Sequence, residues 1–403
     1  MLIDGSGKVQ GNRPPLRVGA ITLPAMRRSL PFIALLAAAS IFVASCTAVE
    51  GEASAGVNQP ADSPTTSAPT IETPTTTIPT TTTSSTTTPP STTTSSSTTT
   101  TTVAPKGTVV VNGTGDVNLD PTFVRSFPSE GYAYAWSGLE GLFQADDLTI
   151  VNLECSASEL GTKWDKAYNF RCDPAALPPA AAAGVEVANL ANNHAMDYGM
   201  EAMLDARRNL LDAGIVPVGA GADAAEAYAP ALFEIDGWTV AILGGGGVHP
   251  ETGSWIAGDD RPGMTDGDSI PAMVAAIEAA DELADIVIVT THWGQQGDTS
   301  PRGEEMHRAE AFIDAGADGI FGHHSHRLNP LDWYKGRPIA WSLGNFVWQA
   351  YPAPARHTAV AQFVFEPDGD VGACLIPIFI ERPGHPVLEE PHTSPCRPEP
   401  QPD

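Results

Sequence analysis

The stretch Gly316-Ala-Asp-Gly-Ile-Phe-Gly-His-His-Ser-His326 is an apolar run that ends in three histidines. Two of them, His324 and His326, stand at positions i and i+2, and an extended backbone would turn both rings to one side. Imidazole is a common ligand for zinc, iron and other first-row transition metals. The stretch therefore predicts a buried strand that delivers a pair of metal ligands at its end.

Four earlier apolar runs of β type also end in groups that can bind a metal. These groups are Asp116, Glu154, the pair Asn193 and His194, and His292. In an open α/β sheet, the residues just past the carboxyl ends of the strands converge on one crevice. We therefore expect one site assembled from five separated loops.

Strand-like and helix-like segments alternate along the chain from residue 108 onward, which predicts an α/β layered fold. The glycine run at 244–247 matches neither nucleotide-binding fingerprint and is interpreted as a close turn beside the site. Strands are predicted over 108–112, 148–153, 185–190, 215–218, 238–243, 286–291, 338–343 and 359–365, and helices over 175–184, 200–213, 270–284 and 304–315.

Composition divides the chain into a folded part and a part with little to bury. Residues from about 50 to 105 are almost entirely Thr, Ser, Pro and a few small residues, which predicts a disordered, extended linker over 46–105. Residues 106–380 are long enough for one large α/β domain with a sizeable core. Residues 381–403 are rich in proline and are interpreted as a C-terminal tail.

The formal net charge is −27 at pH 7. So acidic a chain argues against nucleic acid or an anionic lipid surface as a partner, because both require positive charge on the protein. An anionic substrate would need local compensation, which bound metal ions could supply.

The first 45 residues have the pattern of an export signal. Arg27-Arg28 precede a short apolar run over 30–44, and small residues stand before Cys46. That ending resembles the lipobox of bacterial lipoproteins, so we expect Cys46 to carry lipid and to anchor the protein to the outer face of the cell membrane. The folded domain would then lie at the cell surface or in the wall. An ordinary signal peptide is the alternative, and Met26 would make a more usual translation start.

The folded part contains an even set of four cysteines. In an exported protein, proximity in sequence favours the disulfide pairs Cys155–Cys172 and Cys374–Cys396. Four reduced thiols would be expected if the protein were cytosolic.

Six blocks, taken together and in this order, resemble the CapA family of poly-gamma-glutamate capsule proteins. The likeness covers roughly 109–365. The blocks are Gly115-Asp116, Asn152-Leu-Glu154, Leu190-Ala-Asn-Asn-His-Ala-Met-Asp-Tyr-Gly199, Thr291-His-Trp-Gly294, Gly322-His-His-Ser-His326 and Ser342-Leu-Gly-Asn-Phe346.

The CapA family is in turn similar to calcineurin-like metallophosphoesterases, so the resemblance implies a two-sheet sandwich flanked by helices. It implies one or two divalent transition metal ions, with Mn, Fe and Zn as candidates, and it makes His194 the catalytic histidine. The implied metal positions are Asp116, Glu154, Asn193, His292, His324 and His326. Residues placed beside the ligands or the substrate are Asn118, Asn192, Asp197, His323 and Asn345.

Three positions depart from the pattern of the phosphoesterases and of CapA-like proteins. Asn118 stands where a histidine is usual, Glu154 replaces a bridging aspartate, and Gln295-Gln296 stand where a glutamate often follows His-Trp-Gly. These changes weaken the first metal position, so a single metal, or weak metal binding, is an open alternative.

Three functions are compatible with these residues. The first is a surface-anchored CapA-like protein that acts in synthesis, transfer or anchoring of an anionic polymer such as poly-gamma-glutamate, alongside other capsule-synthesis proteins. The second is a metal-dependent phosphoesterase or other hydrolase of the cell surface. The third is a polymer-binding lipoprotein that keeps the fold without the chemistry, which Asn118 and Gln295 favour over the second.

Overall fold

A computed structural model describes residues 17–18, 105–248 and 252–397. Cys46 and the Thr/Ser/Pro-rich linker lie outside these residues, as does the predicted signal peptide apart from 17–18. Within the described part of the chain, no helix is both long and apolar enough to span a bilayer.

The described chain contains nineteen strands and seven α-helices, with short 3-10 helices at 132–136, 142–144 and 174–176. The strands are β1 (Arg17–Val18), β2 (Val109–Val117), β3 (Leu148–Leu153), β4 (Ser156–Ala157), β5 (Arg171–Cys172), β6 (Val187–Asn189), β7 (Val216–Val218), β8 (Ala220–Gly221), β9 (Ala231–Ile235), β10 (Trp238–Gly246), β11 (Gly263–Met264), β12 (Ile286–His292), β13 (Gly319–His323), β14 (Leu331–Tyr334), β15 (Arg337–Ala340), β16 (Asn345–Val347), β17 (His357–Phe365), β18 (Val371–Arg382) and β19 (His385–Leu388). The helices are α1 (Phe127–Glu130), α2 (Leu177–Ala182), α3 (Gly199–Ala213), α4 (Ala224–Ala227), α5 (Thr252–Trp255), α6 (Ile270–Asp281) and α7 (Gly303–Asp314).

Most of the strands form two large sheets. The seven-stranded sheet has the order β1-β9-β10-β12-β13-β15-β14, and β10, β12, β13 and β15 run parallel to one another. The eight-stranded sheet has the order β19-β18-β17-β2-β3-β6-β7, with β16 also paired to β2, and here β2, β3, β6 and β7 are parallel. Antiparallel strands lie on both sides of the parallel centre in the first sheet and on one side of it in the second.

The two sheets pack face to face because alternate residues of each strand point to opposite sides. In β12, Ile286 and Ile288 belong to the core shared by both sheets, whereas Val287 and Val289 pack with helices α6 and α7. On the other side of the molecule, helix α3 covers the outer face of the eight-stranded sheet with residues such as Met203. The predicted two-sheet sandwich flanked by helices is confirmed.

The folded part continues past residue 380. Strand β18 ends at Arg382 and pairs with β19, and Cys396 is joined to Cys374 by a disulfide. The other predicted disulfide, Cys155–Cys172, is also present. It closes the base of the irregular loop between β4 and β5, which we call the 158–170 loop.

The parallel strands of both sheets end at the same side of the sandwich. Asp116 lies near the end of β2, and Glu154 directly follows β3. From the other sheet, His292 ends β12 and His323 ends β13. This edge is crowded: a Cβ on Gly115 would lie 2.3 Å from the carbonyl oxygen of Gly344, so only glycine lets β2 approach that turn.

Candidate metal centre and adjoining cleft

Two groups of potential metal ligands meet at this edge and share one carboxylate. Asp116, Glu154 and His326 form the first group, and Glu154, His292 and His324 form the second. Within each group the ligand atoms lie within 4.8 Å of one another. The sequence prediction named all five residues, and the structure brings them together with Glu154 between the two groups.

The polar atoms of this cluster have few partners of their own. Glu154 is fully buried, and neither of its carboxylate oxygens has a hydrogen bond. Asp116 Oδ2 and His326 Nδ1 lie 2.9 Å apart, but neither makes a hydrogen bond in this orientation. Since buried polar groups are normally hydrogen-bonded or bound to metal, these orphaned atoms fit a metal ion held between them.

The electrostatics of the two carboxylates differ. Burial raises the pKa of Glu154 well above its ordinary value, and the nearby charge of Asp116 raises it further. Burial also acts to raise the pKa of Asp116, but close contact with His326 outweighs it and the net shift is downward. A cation between these groups would relieve the cost of charging Glu154.

Burial favours the neutral form of His292 and His324, which is the form that binds metal. Burial lowers the pKa of His292 well below its ordinary value, and the neighbouring His324 lowers it further. Burial likewise lowers the pKa of His324 to about 4, with a smaller contribution from His326.

The backbone at His324 and His326 differs from the prediction. Strand β13 ends at His323, and His324 and His326 have φ angles of 89° and 55°, in the left-handed region. The expectation that an extended backbone turns both rings to one side is therefore wrong. A tight turn presents them, and such positive φ angles in non-glycine residues often accompany functional sites.

Amide side chains hold the second ligand group in place. Asn193 Oδ1 lies 2.8 Å from His292 Nε2, while Asn152 Nδ2 donates to Asp116 Oδ1 at 2.9 Å and lies 3.1 Å from His292 Nδ1. Asn192 donates to the carbonyl of Leu153, which ties this loop to the end of β3. The sequence prediction included Asn192 and Asn193 but not Asn152.

His194 belongs to a polar network beside the ligands. Its Nδ1 lies 2.7 Å from Asp197 Oδ2, and its Nε2 lies 3.8 Å from Glu154 Oε1. Lys166, from the 158–170 loop, places its Nζ 2.5 Å from both Asp197 Oδ1 and the carbonyl oxygen of Asn193. Burial lowers the pKa of Lys166, and the adjacent Asp197 opposes that shift. Lys166 was not predicted from the sequence, since it is one of two lysines in a polar stretch without periodicity.

Three further predicted residues lie close to the ligands in other roles. Asn118 is buried, and its Oδ1 accepts from the backbone N–H of Asp120 at 2.9 Å. His323 is held between strands, with its ring nitrogens 3.1 and 2.9 Å from the carbonyl oxygens of Thr291 and Thr114. Asn345 pairs in register with Asp116 and donates to the carbonyl of Ala355.

Comparison with known families identifies the fold that carries these residues. The family described as "Bacterial capsule synthesis protein PGA_cap" matches residues 110–350. The chain belongs to this family. Every member of the two ligand groups lies inside the matched range.

Among the relatives of this PGA_cap chain is the "PGA biosynthesis protein CapA" of Bacillus subtilis (strain 168), 31% identical over 258 residues, which are 63% of this chain and 67% of that protein. The "Capsule biosynthesis protein CapA" of Bacillus anthracis is 31% identical over 54% of each chain. A "Probable polyglutamine synthesis accessory protein" of Mycobacterium tuberculosis (strain ATCC 25618 / H37Rv) is 34% identical over 50% of this chain and 56% of its own length. The chain thus spans about half the length of the latter two relatives.

A cleft of about 670 Å³ opens over this cluster of potential ligands. Phe170 and Trp348 line it and contact the cluster directly, with ring centroids 4.4 Å from His194 and 4.8 Å from His326. The cleft therefore offers an aromatic surface beside the ligand cluster.

We expect the metal-free PGA_cap chain to lose stability as the pH falls from 6.5 toward 4. In the unfolded chain His324 takes up a proton near its ordinary pKa of 6.5, whereas in the fold burial lowers that pKa to about 4. The unfolded state therefore binds more protons in this window, which costs the fold about 3 kcal/mol for this residue. Urea unfolding in the presence of chelator measures the effect.

The variant His324→Asn is the matched comparison, because asparagine tolerates the left-handed backbone and has no proton to gain. Its stability should fall less steeply than that of the parent between pH 6.5 and 4. Parallel pH profiles for the two proteins would contradict the assignment.

Proposed function

We propose that this protein is an exported CapA-like protein that acts in capsule or polyglutamate biosynthesis through a metal-dependent site. In this proposal Cys46 carries the lipid that anchors the chain to the outer face of the membrane, and the substrate is an anionic polymer such as poly-gamma-glutamate. Membership in the family of bacterial capsule synthesis proteins supports the role. Other proteins of capsule synthesis would work alongside it.

One observation carries the metal-dependent part of the proposal. Glu154 is fully buried, lacks any hydrogen bond on either oxygen, and belongs to both ligand groups. An uncompensated buried carboxylate is costly to retain unless a cation binds it. In the proposed loaded form, Asp116 and His326 would hold one metal ion, His292 and His324 with Asn193 would hold a second, and Glu154 would contact both.

A divalent metal bound there would act as a Lewis acid on a carbonyl or phosphoryl oxygen. The chain itself supplies the group that moves protons. A carboxylate at Asp197 accepts the proton of His194 Nδ1, although Lys166 Nζ also lies 3.3 Å from that nitrogen, and in this tautomer Nε2 has a lone pair toward the ligand cluster. Burial lowers the pKa of His194, so the ring is a neutral base at pH 7. Nε2 can accept a proton from an attacking nucleophile and then return it to the leaving group.

The same pairing of His194 with Asp197 also favours a second candidate, a metal-dependent phosphoesterase of the cell surface. Such an enzyme would use the same proton transfer on a phosphoester. Turnover assays on poly-gamma-glutamate and on phosphoesters, with the metal-loaded mature chain, distinguish the two candidates. Metal binding without turnover on either substrate would favour a polymer-binding protein. The amide oxygen of Asn118 favours the same interpretation, because it already accepts a hydrogen bond from the backbone instead of facing a metal.

We expect His324→Ala and His326→Ala each to remove at least half of the bound metal, because each deletes one ligand of a different group. Elemental analysis of the purified mature chain measures metal per protein. His307→Ala is the matched control, since His307 is exposed on helix α7. Full metal occupancy in both variants, or equal losses in the control, would refute the site.

A further inference from the structure

The cleft above the metal cluster has an uneven distribution of charge. Its lining residues include five aromatic side chains and several histidines and amides, but Arg327 is the single Lys or Arg among them. In a chain with a net charge of −27, a lone cation at this place needs an explanation.

Arg327 has no acidic partner among the described residues. Its Nη1 donates to the backbone carbonyl of His326 at 2.8 Å, and no carboxylate of the described residues lies within 4.0 Å of the guanidinium. By contrast, Arg207, Arg308 and Arg337 each pair with an acidic side chain. The guanidinium of Arg327 thus keeps most of its hydrogen-bonding capacity free beside the cleft.

The mouth of the cleft carries two exposed aromatic rings. Tyr168 is 70% exposed and Tyr351 is 44% exposed, and both line the cleft. Tyr168 belongs to the 158–170 loop, which Lys166 and the Cys155–Cys172 disulfide hold against the domain. Tyr168 is therefore presented on an anchored loop. Together with Tyr351, from the segment between β16 and β17, it offers an apolar surface at the entrance.

The inner wall continues this surface toward the ligand cluster. Phe123 contacts Phe170 and Trp348, with ring centroids 4.6 and 5.1 Å apart, and Phe170 contacts Trp348 at 5.8 Å. Aromatic faces accept methylene and amide groups, while an arginine fork pairs with a carboxylate. Since Arg327 is the single Lys or Arg of the lining, it can pair with one carboxylate of a bound chain while the aromatic wall contacts the apolar parts.

We propose that Arg327 is a specificity-determining residue of this cleft, and that its guanidinium selects a carboxylate of the amide-linked polymer given in the proposed function. The aliphatic and amide parts of the chain lie against Tyr168, Tyr351 and the inner aromatic wall. One unit reaches the ligand cluster while the carboxylate of a nearby unit pairs with Arg327. This inference deepens the proposed function and rests on it for the role of the site, but the binding itself requires no turnover.

Two synthetic probes test the selection. One is a short gamma-linked glutamate oligomer, and the other is the same oligomer with every carboxylate converted to carboxamide. Calorimetric titration of the full mature chain, both metal-loaded and chelator-treated, gives the affinity for each probe. We expect Arg327→Gln to weaken binding of the carboxylate probe by at least about tenfold, and to leave binding of the amide probe unchanged.

Three further variants distinguish this loss of carboxylate affinity from a general disturbance of the cleft. Arg382→Gln removes the same charge from an exposed position at the end of β18 and should leave both affinities unchanged. Arg327→Lys should restore part of the carboxylate affinity, because it keeps the charge and loses the fork. Tyr168→Ala should weaken both probes alike, since the ring contacts the parts that they share.

The outcomes distinguish this inference from the proposed function. If the parent chain fails to bind the carboxylate probe, or if Arg327→Gln weakens both probes equally, the selection by Arg327 is refuted. If the Arg327 effect persists in the chelator-treated protein while metal loading and turnover both fail, the binding site stands and the metal-dependent function falls.

Discussion

Glu154→Gln should make the metal-free protein more stable and at the same time remove most of its metal. The glutamine keeps the size of the side chain and ionises in neither the folded nor the unfolded state, so the cost of keeping a carboxyl in this buried site disappears. We expect a gain of about 1–3 kcal/mol in the free energy of unfolding at pH 7. Because Glu154 belongs to both ligand groups, metal affinity should fall by at least about 100-fold. Urea unfolding with chelator and elemental analysis without it measure the two effects.

The pH dependence of this gain in the free energy of unfolding follows from the direction in which the pKa of Glu154 is shifted. Burial raises the pKa of Glu154 well above 4.5, so above that pH the unfolded parent gives up a proton that the fold retains. The parent therefore loses stability as the pH rises from 4.5, and the advantage of the glutamine variant should grow over the same range. Glu159→Gln is the matched control, because Glu159 is exposed a few residues away. Unchanged metal content in Glu154→Gln would overturn the two-group assignment.

Asp197→Ala should be among the most destabilising single substitutions in the domain, at about 3–5 kcal/mol. The carboxylate is fully buried and accepts from the backbone N–H of Phe170 at 2.6 Å. It also lies 2.7 Å from His194 Nδ1 and 2.5 Å from Lys166 Nζ, so its removal leaves a buried cation without its counter-charge. Urea unfolding of the metal-free chain measures the loss.

A double-mutant cycle isolates the part that is due to the buried lysine. Lys166→Met together with Asp197→Ala should cost less than the sum of the two single substitutions, because the orphaned charge is gone. Asp212→Ala, at an exposed position of helix α3, should change stability by no more than about 0.5 kcal/mol. Strict additivity of the two single substitutions would show that Lys166 and Asp197 are not coupled.

The fold was largely predictable where strands are fully buried. The runs that became β3 and β12 are rich in β-branched residues, and both were located to within one residue at each end. Strand β18 was not predicted, because Pro377 interrupts it and the small residues before Pro377 give no strand pattern. The glycines at 244–246 were expected in a turn but continue strand β10.

The candidate ligands were predictable for a related reason, since strand ends of parallel sheets converge and the chain carries ligand-type residues at those ends. Lys166 and Arg327 were not predicted, because a lone basic residue in a loop is no signal of a site, and the significance of these two lies in the contacts that the fold gives or denies them. Lys166 is significant for its approach to Asp197, and Arg327 for the acidic partner that it lacks among the described residues.

The left-handed backbone at His324 and His326 has a consequence for protein engineering. Grafting the sequence His-His-Ser-His onto the end of a straight strand would not reproduce the turn that orients the two imidazole rings. A functional graft would also need the tight turn after β13, the neighbouring strand β12, and the carboxylate that both ligand groups share. For the same reason, a search of other proteomes for the sequence His-His-Ser-His alone would return many false matches. Requiring a strand that ends at the first histidine would remove most of them.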